Sequence, residues 1–386
     1  ATRLRLDADL KIGTSLSGGL DSSVIFSVLN AIESEEGFEK KIDLNPVIVD
    51  YKDNLTSEHA KNLSNLHERE PNIINTRFDY TIDSLSSLFS QIELVDEYNK
   101  HMELYKKQKS LGIDVSIDGH GADEFLGQPV NIPQMSFTYY NNLTDINKLN
   151  YDFNSNANIN LMTQYYGDLA KKKQRAVIDF GEFIDTKNYL SEYLSSNKIN
   201  FNENDFTIKD YLSDLSEFNA DFQYTIFKSH CGFLQYFAHK WDRVSMANSV
   251  EIRSPFLDKN VYLFMLSLPL EMKIKNGKLK SIVNDSFSHI LPDYITNQKF
   301  KQGLPVSKKN TNDPIISNIC LEVLNQNDFN HNCWDSKKIK IDFNNSRNME
   351  LIWRIVKYYL LKKGFNKRLD DAKSDRIDFT TVPLLQ

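Results

Sequence analysis

One segment organises the chain: Ser17-Gly18-Gly19-Leu20-Asp21-Ser22-Ser23. An apolar segment that predicts a strand, Ile12–Leu16, precedes it, and helical periodicity over Ser22–Ser34 follows it. Two adjacent glycines let the backbone approach an anion without a Cβ in the way. Their amides and the helix N-terminus that follows present donors and a positive dipole end to a phosphate. A bare Gly-Gly pair would predict only a tight turn before a capped helix, but the seven residues after a strand favour phosphate binding.

The side chains of this loop suit a nucleotide bound together with a metal ion. Ser17, Ser22 and Ser23 add hydroxyl donors. The carboxylate of Asp21 would repel a phosphate directly, so its natural use is to hold Mg²⁺. The loop lacks the Gly-x-x-x-x-Gly-Lys spacing of a P-loop, so we do not expect its phosphates to be handled as in a kinase.

Outward from this loop, the first third of the chain alternates apolar segments with amphipathic ones. Further strands are predicted at Pro46–Asp50, Ile73–Phe78 and Ile113–Ile117. Further helices are predicted at Ser57–Glu68 and Asp96–Leu111. This alternation predicts an α/β fold with a doubly wound parallel sheet. Ligands of such sheets bind beyond the carboxyl ends of the strands, which singles out the loops 17–23 and 118–124.

The rest of the chain has a different composition. The segment 130–210 is rich in Asn, Tyr, Asp and Ser with weak periodicity, and it predicts either a loop-rich insertion or a helical excursion. Helical periodicity then recurs at Phe218–Val244, Lys259–Leu268, Lys278–Ile290, Pro314–Leu324 and Met349–Lys363. We therefore expect a mostly helical C-terminal part that ends, after Asp370, in a loosely attached tail.

Composition narrows the class of protein. The 386 residues are 40% hydrophobic and 25% charged with a net charge of -6, which is typical of a globular protein and argues against a general nucleic-acid binder. No apolar run reaches the roughly 20 residues that span a bilayer. The cysteines Cys231, Cys320 and Cys333 are scattered, which disfavours a disulfide framework and a zinc site. We therefore expect a cytoplasmic protein without nucleic-acid or membrane partners.

Three more segments carry candidate site residues: Asp118-Gly119-His120-Gly121-Ala122-Asp123-Glu124, then Asp242–Asp258 with Glu251 and Arg253, and finally Lys299-Phe300-Lys301-Gln302-Gly303. Taken alone, the first segment predicts a glycine-rich turn with capping acids, the second a buried ion-pair network, and the third a solvated lysine.

In this order the four segments resemble the motifs of the asparagine synthetase family, within the ATP pyrophosphatase (PP-loop) superfamily. The first is similar to the pyrophosphate loop, the second to the family's Ser-Gly-Glu-Gly-Ala-Asp-Glu, and the last to its Arg-x-Lys-x-Gly. The resemblance implies a synthetase domain over 1–386, divided into a PP-loop part at 1–128, a divergent insertion at 129–210 and a helical part with acceptor-site residues at 211–370.

The resemblance also implies roles for residues. ATP and Mg²⁺ are the implied cofactors, with the metal ion held by Asp21 and Asp123. Nucleotide contacts are implied for Leu16, Ser17, Gly18, Gly19, Leu20, Asp21, Ser22, Ser23, Val49, Asp118 and Gly119. Lys301 matches a lysine that stabilises charge developing on the adenylate, and Glu251 matches a carboxylate near the acyl acceptor.

His120 departs from the family, which has glutamate at this position and tyrosine in the related β-lactam synthetases. The family residue lies near the reacting carbonyl, where a histidine can accept a proton from an amine. The hypothesis is that His120, oriented by Glu251, helps to deprotonate the attacking nitrogen. The alternative is that His120 only hydrogen-bonds neighbouring backbone. Gln128-Pro129 and Lys299 also depart from the family, which leaves the acceptor substrate open.

The predicted activity is ATP-dependent amide formation through an acyl-adenylate, as in the synthetase half of a glutamine-dependent asparagine synthetase. Aspartate and ammonia are the expected substrates. No cysteine near the start matches the glutaminase nucleophile, so we expect a glutaminase domain or subunit to supply ammonia. The alternatives are an amide ligase of the β-lactam synthetase or lasso-peptide cyclase kind and a catalytically silent nucleotide-binding partner subunit. The oligomeric state, a homodimer included, stays open.

Overall fold

The computed structural model describes residues 1–7, 11–35, 42–50, 55–75, 80–95, 99–126, 193, 233–275, 278–298, 313–329 and 334–374. The described residues form two compact units, made of 1–75, 100–126 and 233–298, and of 80–95, 99, 193 and 313–374. The predicted insertion 129–210 lies outside the described residues apart from Tyr193, and so does the segment with Lys299 and Lys301. The division of the chain into three functional parts stays a prediction.

A parallel sheet forms the centre of the first unit. Its strands are β1 (Ile12–Ser15), β2 (Leu44–Asp50), β3 (Asn72–Asn75), β4 (Val115–Ile117) and β5 (Glu251–Arg253). Within the described residues they hydrogen-bond in the order β3-β2-β1-β4-β5, all parallel. The order reverses between β1 and β4, as in doubly wound sheets. The predicted α/β fold is therefore confirmed.

The described helices are numbered along the chain. They are α1 (Leu20–Glu33), α2 (Leu55–Leu66), α3 (Ile82–Ile92), α4 (Asn99–Ser110), α5 (Ala122–Leu126), α6 (Phe233–Met246), α7 (Lys259–Ser267), α8 (Leu270–Lys273), α9 (Ser281–Phe287), α10 (Asp293–Thr296), α11 (Pro314–Leu324), α12 (Ser336–Asn344) and α13 (Met349–Ser374). A short antiparallel hairpin of β6 (Ile274–Lys275) and β7 (Lys278–Leu279) precedes α9. None of the described helices is long and apolar enough to cross a membrane.

The core of the first unit lies between the sheet and its helices. Phe26 and Leu29 of α1, Ile48 of β2 and Ile117 of β4 are fully buried there. Each such side chain stabilises the fold by about 1.5–3 kcal/mol relative to an exposed one. This packing fixes the carboxyl ends of β1 and β4, where the two glycine loops begin.

The second unit pairs α3 with the long α13. Helix α3 begins with a capping box in which Thr81 and Ser84 satisfy each other's backbone amides. Arg368 of α13 donates to the carbonyl oxygen of Ser90 at the end of α3. The predicted helix Met349–Lys363 continues to Ser374, so the residues directly after Asp370 are helical and not part of a loosely attached tail.

Candidate active site

The loop after β1 lies against α2 and turns the chain into α1. Gly18 has a φ of +76°, and a Cβ there would lie 1.9 Å from the carbonyl oxygen of Thr56. Within the loop, Ser17 Oγ and Ser22 Oγ are 2.9 Å apart, and Ser22 Oγ donates to Gly19 O at 3.2 Å. Gly19 precedes α1 in extended backbone and supplies no capping side chain. This leaves the first amides of α1 to a bound anion.

We predict that Gly18→Ala destabilises the protein more than Gly112→Ala. Their φ values are +76° and +75°, so each alanine costs about 1 kcal/mol for the left-handed backbone. At Gly18 the new methyl also meets backbone, whereas no described atom lies within 4 Å of a Cβ at Gly112. Overpacking should cost Gly18→Ala about 1–3 kcal/mol more. Calorimetric Tm values that fall equally would contradict the contact with Thr56.

The loop after β4 lies directly against the first loop. A Cβ on Gly119 would come within 2.8 Å of the backbone of Asp21 and Ser22, so only glycine allows this approach. Just before the loops, Thr14 Oγ1 of β1 donates to Ile117 O of β4 at 2.7 Å. The structure thus brings the two predicted loops together at the switch point of the sheet.

Asp21 and Asp123 converge on one cation. Both carboxylates form ion pairs with Lys280 Nζ, and the side chain of Lys280 is only 10% exposed. Burial by itself would lower the pKa of Lys280, but the charges of Asp123 and Asp21 outweigh burial and raise that pKa above its usual value. Lys280 therefore stays charged, and the predicted metal ligands face a shared position beside the glycine loop.

Lys280 could not be found from the sequence, because no local signal marks it. The residue lies 259 positions from Asp21, and the helix predicted at Lys278–Ile290 includes it. That predicted start is wrong: Leu279 pairs with Ile274 in the hairpin, and α9 begins only after Lys280. Lys280 itself has left-handed backbone with φ 53° and ψ 34°. The turn at the end of the hairpin gives its side chain access to both carboxylates.

His120 lies between a carboxylate and an aromatic stack. Its Nε2 is 3.6 Å from Asp118 Oδ2 and 3.5 Å from Tyr105 Oη. The imidazole stacks on Trp241 with ring centroids 3.8 Å apart and planes at 17°, and Phe237 in turn stacks on Trp241. The side chain of His120 is 17% exposed, so a bound molecule can reach it.

The carboxylate of Asp118 is 1% exposed and hydrogen-bonded on both oxygens. Ser15 N and Ser116 Oγ donate to Oδ1 at 2.7 and 2.9 Å, and Tyr105 Oη donates to Oδ2 at 3.0 Å. Burial alone would raise the pKa of Asp118, but His120 and the Ser15 and Ser116 donors hold it below its usual value. Burial and the Asp118 charge raise the pKa of Tyr105, which keeps the phenol protonated. Asp118 is therefore a fixed negative charge next to His120.

Glu251 lies elsewhere on the sheet. The register of β5 on β4 places Glu251 beside Val115, at the amino end of β4. Arg253 Nε donates to Glu251 at 2.8 Å, and Arg253 Nη1 donates to Arg5 O at 2.8 Å. In the described part of the chain, Asp118 rather than Glu251 faces the imidazole. Arg253, with an Arg5–Asp258 ion pair, ties the N-terminal residues to β5.

The structure describes the remaining predicted site residues only in part. Leu16 and Val49 are buried, whereas Ser17 is exposed at the loop. Lys301 lies outside the described residues, and nothing is described of the Glu124 side chain. The nucleotide and catalytic roles of the predicted residues stay predictions.

The reversed strand order, the glycine loop after β1 and the two carboxylates at that loop define an α/β protein with a candidate phosphate- and cation-binding site at the switch point of a doubly wound sheet. The family described as asparagine synthase matches residues 1–358, and the chain therefore belongs to the asparagine synthase family. Membership of this family indicates a ligase.

The curated relatives align over short segments. The chain is 43% identical over 67 residues to asparagine synthetase (glutamine-hydrolyzing) 1 of Bacillus subtilis (strain 168), which covers 17% of this chain and 10% of that protein. It is 38% identical over 58 residues to asparagine synthetase (glutamine-hydrolyzing) 3 of the same bacterium, covering 15% and 9%. With asparagine synthetase (glutamine-hydrolyzing) of Gallus gallus it shares 39% identity over 74 residues, covering 18% and 13%. The aligned segments thus span about a tenth of these relatives.

Proposed function

We propose that the chain catalyses ATP-dependent amide formation. A substrate carboxylate attacks the α-phosphorus of ATP to give an acyl-AMP and pyrophosphate, and a nitrogen nucleophile then displaces AMP. The observation that carries this proposal is the convergence of Asp21, Asp123 and Lys280 beside the Ser17–Ser23 loop. Loop amides, a helix N-terminus and a buried ammonium suit the β- and γ-phosphates. Membership of the asparagine synthase family supports the ligase chemistry.

Mg²⁺ fits the residues at this position. Asp21 and Asp123 already converge on a cation, and carboxylate oxygens are ligands that Mg²⁺ prefers. The described residues contain no group of three or more His, Cys, Asp or Glu side chains suited to a metal ion, so these two would hold it as ligands shared with substrate phosphates. When bound, Mg²⁺ would neutralise charge on the phosphate oxygens. Lys280 supplies a second positive charge next to the same two carboxylates.

The default substrates are aspartate and ammonia, with ammonia supplied by a glutaminase domain or subunit. Family membership and the names of the three relatives support this choice. In the same scheme Lys301 stabilises charge on the adenylate. The second candidate is an amide ligase of the β-lactam synthetase or lasso-peptide cyclase kind, which uses an amine within the substrate. The imidazole of His120, in place of the family's glutamate, favours this candidate.

A pyrophosphate-release assay tests the proposal. The purified chain is given Mg-ATP and aspartate with ammonium chloride, with glutamine, or with amine-bearing carboxylates, and AMP, pyrophosphate and amide are quantified. We expect pyrophosphate and AMP in equal amounts, only when a carboxylate is present. Release of ADP and phosphate would contradict the adenylation chemistry. Binding of Mg-ATP without turnover on any carboxylate would favour the silent nucleotide-binding subunit.

A further inference from the structure

Asp118 and His120 are two positions at which the second loop differs from the family's Ser-Gly-Glu-Gly-Ala-Asp-Glu, and their side chains face each other. We infer that His120 and Asp118 form the general-base pair that takes a proton from the nitrogen nucleophile, with Tyr105 and Trp241 as positioning residues. This inference rests on the proposed function, since it concerns the second step of the same reaction.

Compared with the family motif, Asp118 and His120 keep one carboxylate in this loop but place it two residues earlier. Where the family has a carboxylate at the position of His120, this chain has an imidazole, and a carboxylate appears two residues earlier at Asp118. Asp118 is buried and held by Ser15, Ser116 and Tyr105, so it cannot turn toward a substrate. Its Oδ2 lies 3.6 Å from His120 Nε2, where a fixed negative charge stabilises the imidazolium that forms when His120 accepts a proton.

The geometry assigns different tasks to the two ring nitrogens. Nε2 faces Asp118 Oδ2 at 3.6 Å and Tyr105 Oη at 3.5 Å, which favours a proton on Nε2. The distance to Asp118 exceeds the usual hydrogen-bond range of about 2.7–3.2 Å, as is common before a substrate tightens a catalytic site. No described residue hydrogen-bonds Nδ1, so its lone pair can accept a proton from a bound amine. The Trp241 face fixes the plane in which that lone pair lies.

A purely structural histidine is the competing interpretation. In the described part of the chain, however, the contacts of the His120 ring are with the side chains of Asp118, Tyr105 and Trp241, and none is with a backbone acceptor. A buried carboxylate beside a partly exposed imidazole is an arrangement that enzymes use to orient a base. The titratable groups that face His120 among the described residues are Asp118 and Tyr105.

In this step the nitrogen nucleophile replaces AMP on the acyl carbon, and His120 takes up the proton. The nitrogen lone pair forms the N–C bond to the acyl carbon of the acyl-AMP, and one N–H proton moves to His120 Nδ1. The C–O bond to AMP breaks, and AMP leaves with that electron pair. His120 then releases the proton to solvent, so that acyl-AMP and an amine give an amide, AMP and one proton.

The test separates the two half-reactions. ATP–pyrophosphate exchange with aspartate reports adenylation, while ammonium chloride and hydroxylamine serve as the nitrogen probes. The more basic ammonia needs a base to remove its proton after attack, whereas the hydroxylamine adduct is a stronger acid and loses its proton to water. We therefore expect His120→Ala to keep exchange and hydroxamate formation but to lower amide formation with ammonia by about 10²-fold. Added imidazole should restore amide formation by His120→Ala, because a free imidazole can bind on the Trp241 face in place of the missing side chain.

Asp118→Asn should lower amide formation from ammonia, measured relative to its own exchange rate, by a similar factor without rescue by imidazole. His289→Ala, which changes an exposed histidine of the same unit, should match the wild type. Exchange activity shows that each variant is folded. If His120→Ala or Asp118→Asn forms amide from ammonia as fast as the wild type, or if His120→Ala loses exchange as well, the inference is overturned. A wild-type chain that shows no exchange with any carboxylate would instead overturn the proposed function, and the inference with it.

Discussion

Lys280→Met is expected to lower the unfolding free energy of the nucleotide-free protein by about 3 kcal/mol, because removing the cation of a buried ion pair is strongly destabilising. Here two carboxylates, Asp21 and Asp123, lose their common cation. Methionine keeps most of the side-chain volume, so the loss reports charge rather than packing. Lys280 is also the buried positive charge beside the glycine loop, and ATP–pyrophosphate exchange should fall by about 10²-fold or more.

Magnesium provides the decisive comparison for this variant. A divalent cation can take the position that Lys280 leaves between Asp21 and Asp123, so millimolar MgCl₂ should raise the Tm of Lys280→Met more than that of the wild type. Lys106→Met, which removes an exposed lysine from α4 of the same unit, is the matched control and should change neither stability nor exchange. A Lys280→Met protein with wild-type Tm and no added response to Mg²⁺ would show that the three charges do not share one position.

Most of the sheet was predictable because the local sequence pattern marks its strands. β1, β2 and β4 are short apolar segments that end in turn residues, and the predictions Ile12–Leu16 and Pro46–Asp50 miss the observed bounds of β1 and β2 by one or two residues. β5 was not predicted, since two of its three residues, Glu251 and Arg253, are charged and no apolar pattern marks it. Only the backbone pairing with β4 makes Glu251–Arg253 a strand.

The candidate site was predictable where chemistry is concentrated in a loop. Two glycines and an aspartate after a strand indicated phosphate and metal binding at Ser17–Ser23, and the second loop followed from the switch-point rule. Lys280 and Trp241 could not be found in this way. Trp241 lies in α6 and Lys280 in the turn before α9, and their roles depend on contacts with residues more than a hundred positions away. Periodicity reports the local backbone and carries no information on such contacts.

Asp21→Asn and Asp123→Asn are each expected to lower ATP–pyrophosphate exchange by about 10²–10³-fold, and the double variant should be little worse than either one. Two ligands of one metal ion act as a unit, so losing the first removes most of what the second contributes. The unfolding free energy should fall less than in Lys280→Met, by about 1 kcal/mol in each single variant, because Lys280 keeps its ion pair with the remaining carboxylate.

Comparing exchange with stability separates a metal site from an ion-pair network. If Asp21, Asp123 and Lys280 served only to hold the loops together, the two aspartate variants would lose stability, and exchange at a temperature well below their Tm would persist. If they hold Mg²⁺, exchange is lost in folded protein, and raising the Mg²⁺ concentration recovers part of it in each single variant but not in the double variant. Asp43→Asn, which changes an exposed aspartate paired with Lys11, is the control and should behave as the wild type. Multiplicative losses in the double variant would mean that Asp21 and Asp123 act independently, which is incompatible with one shared cation between them.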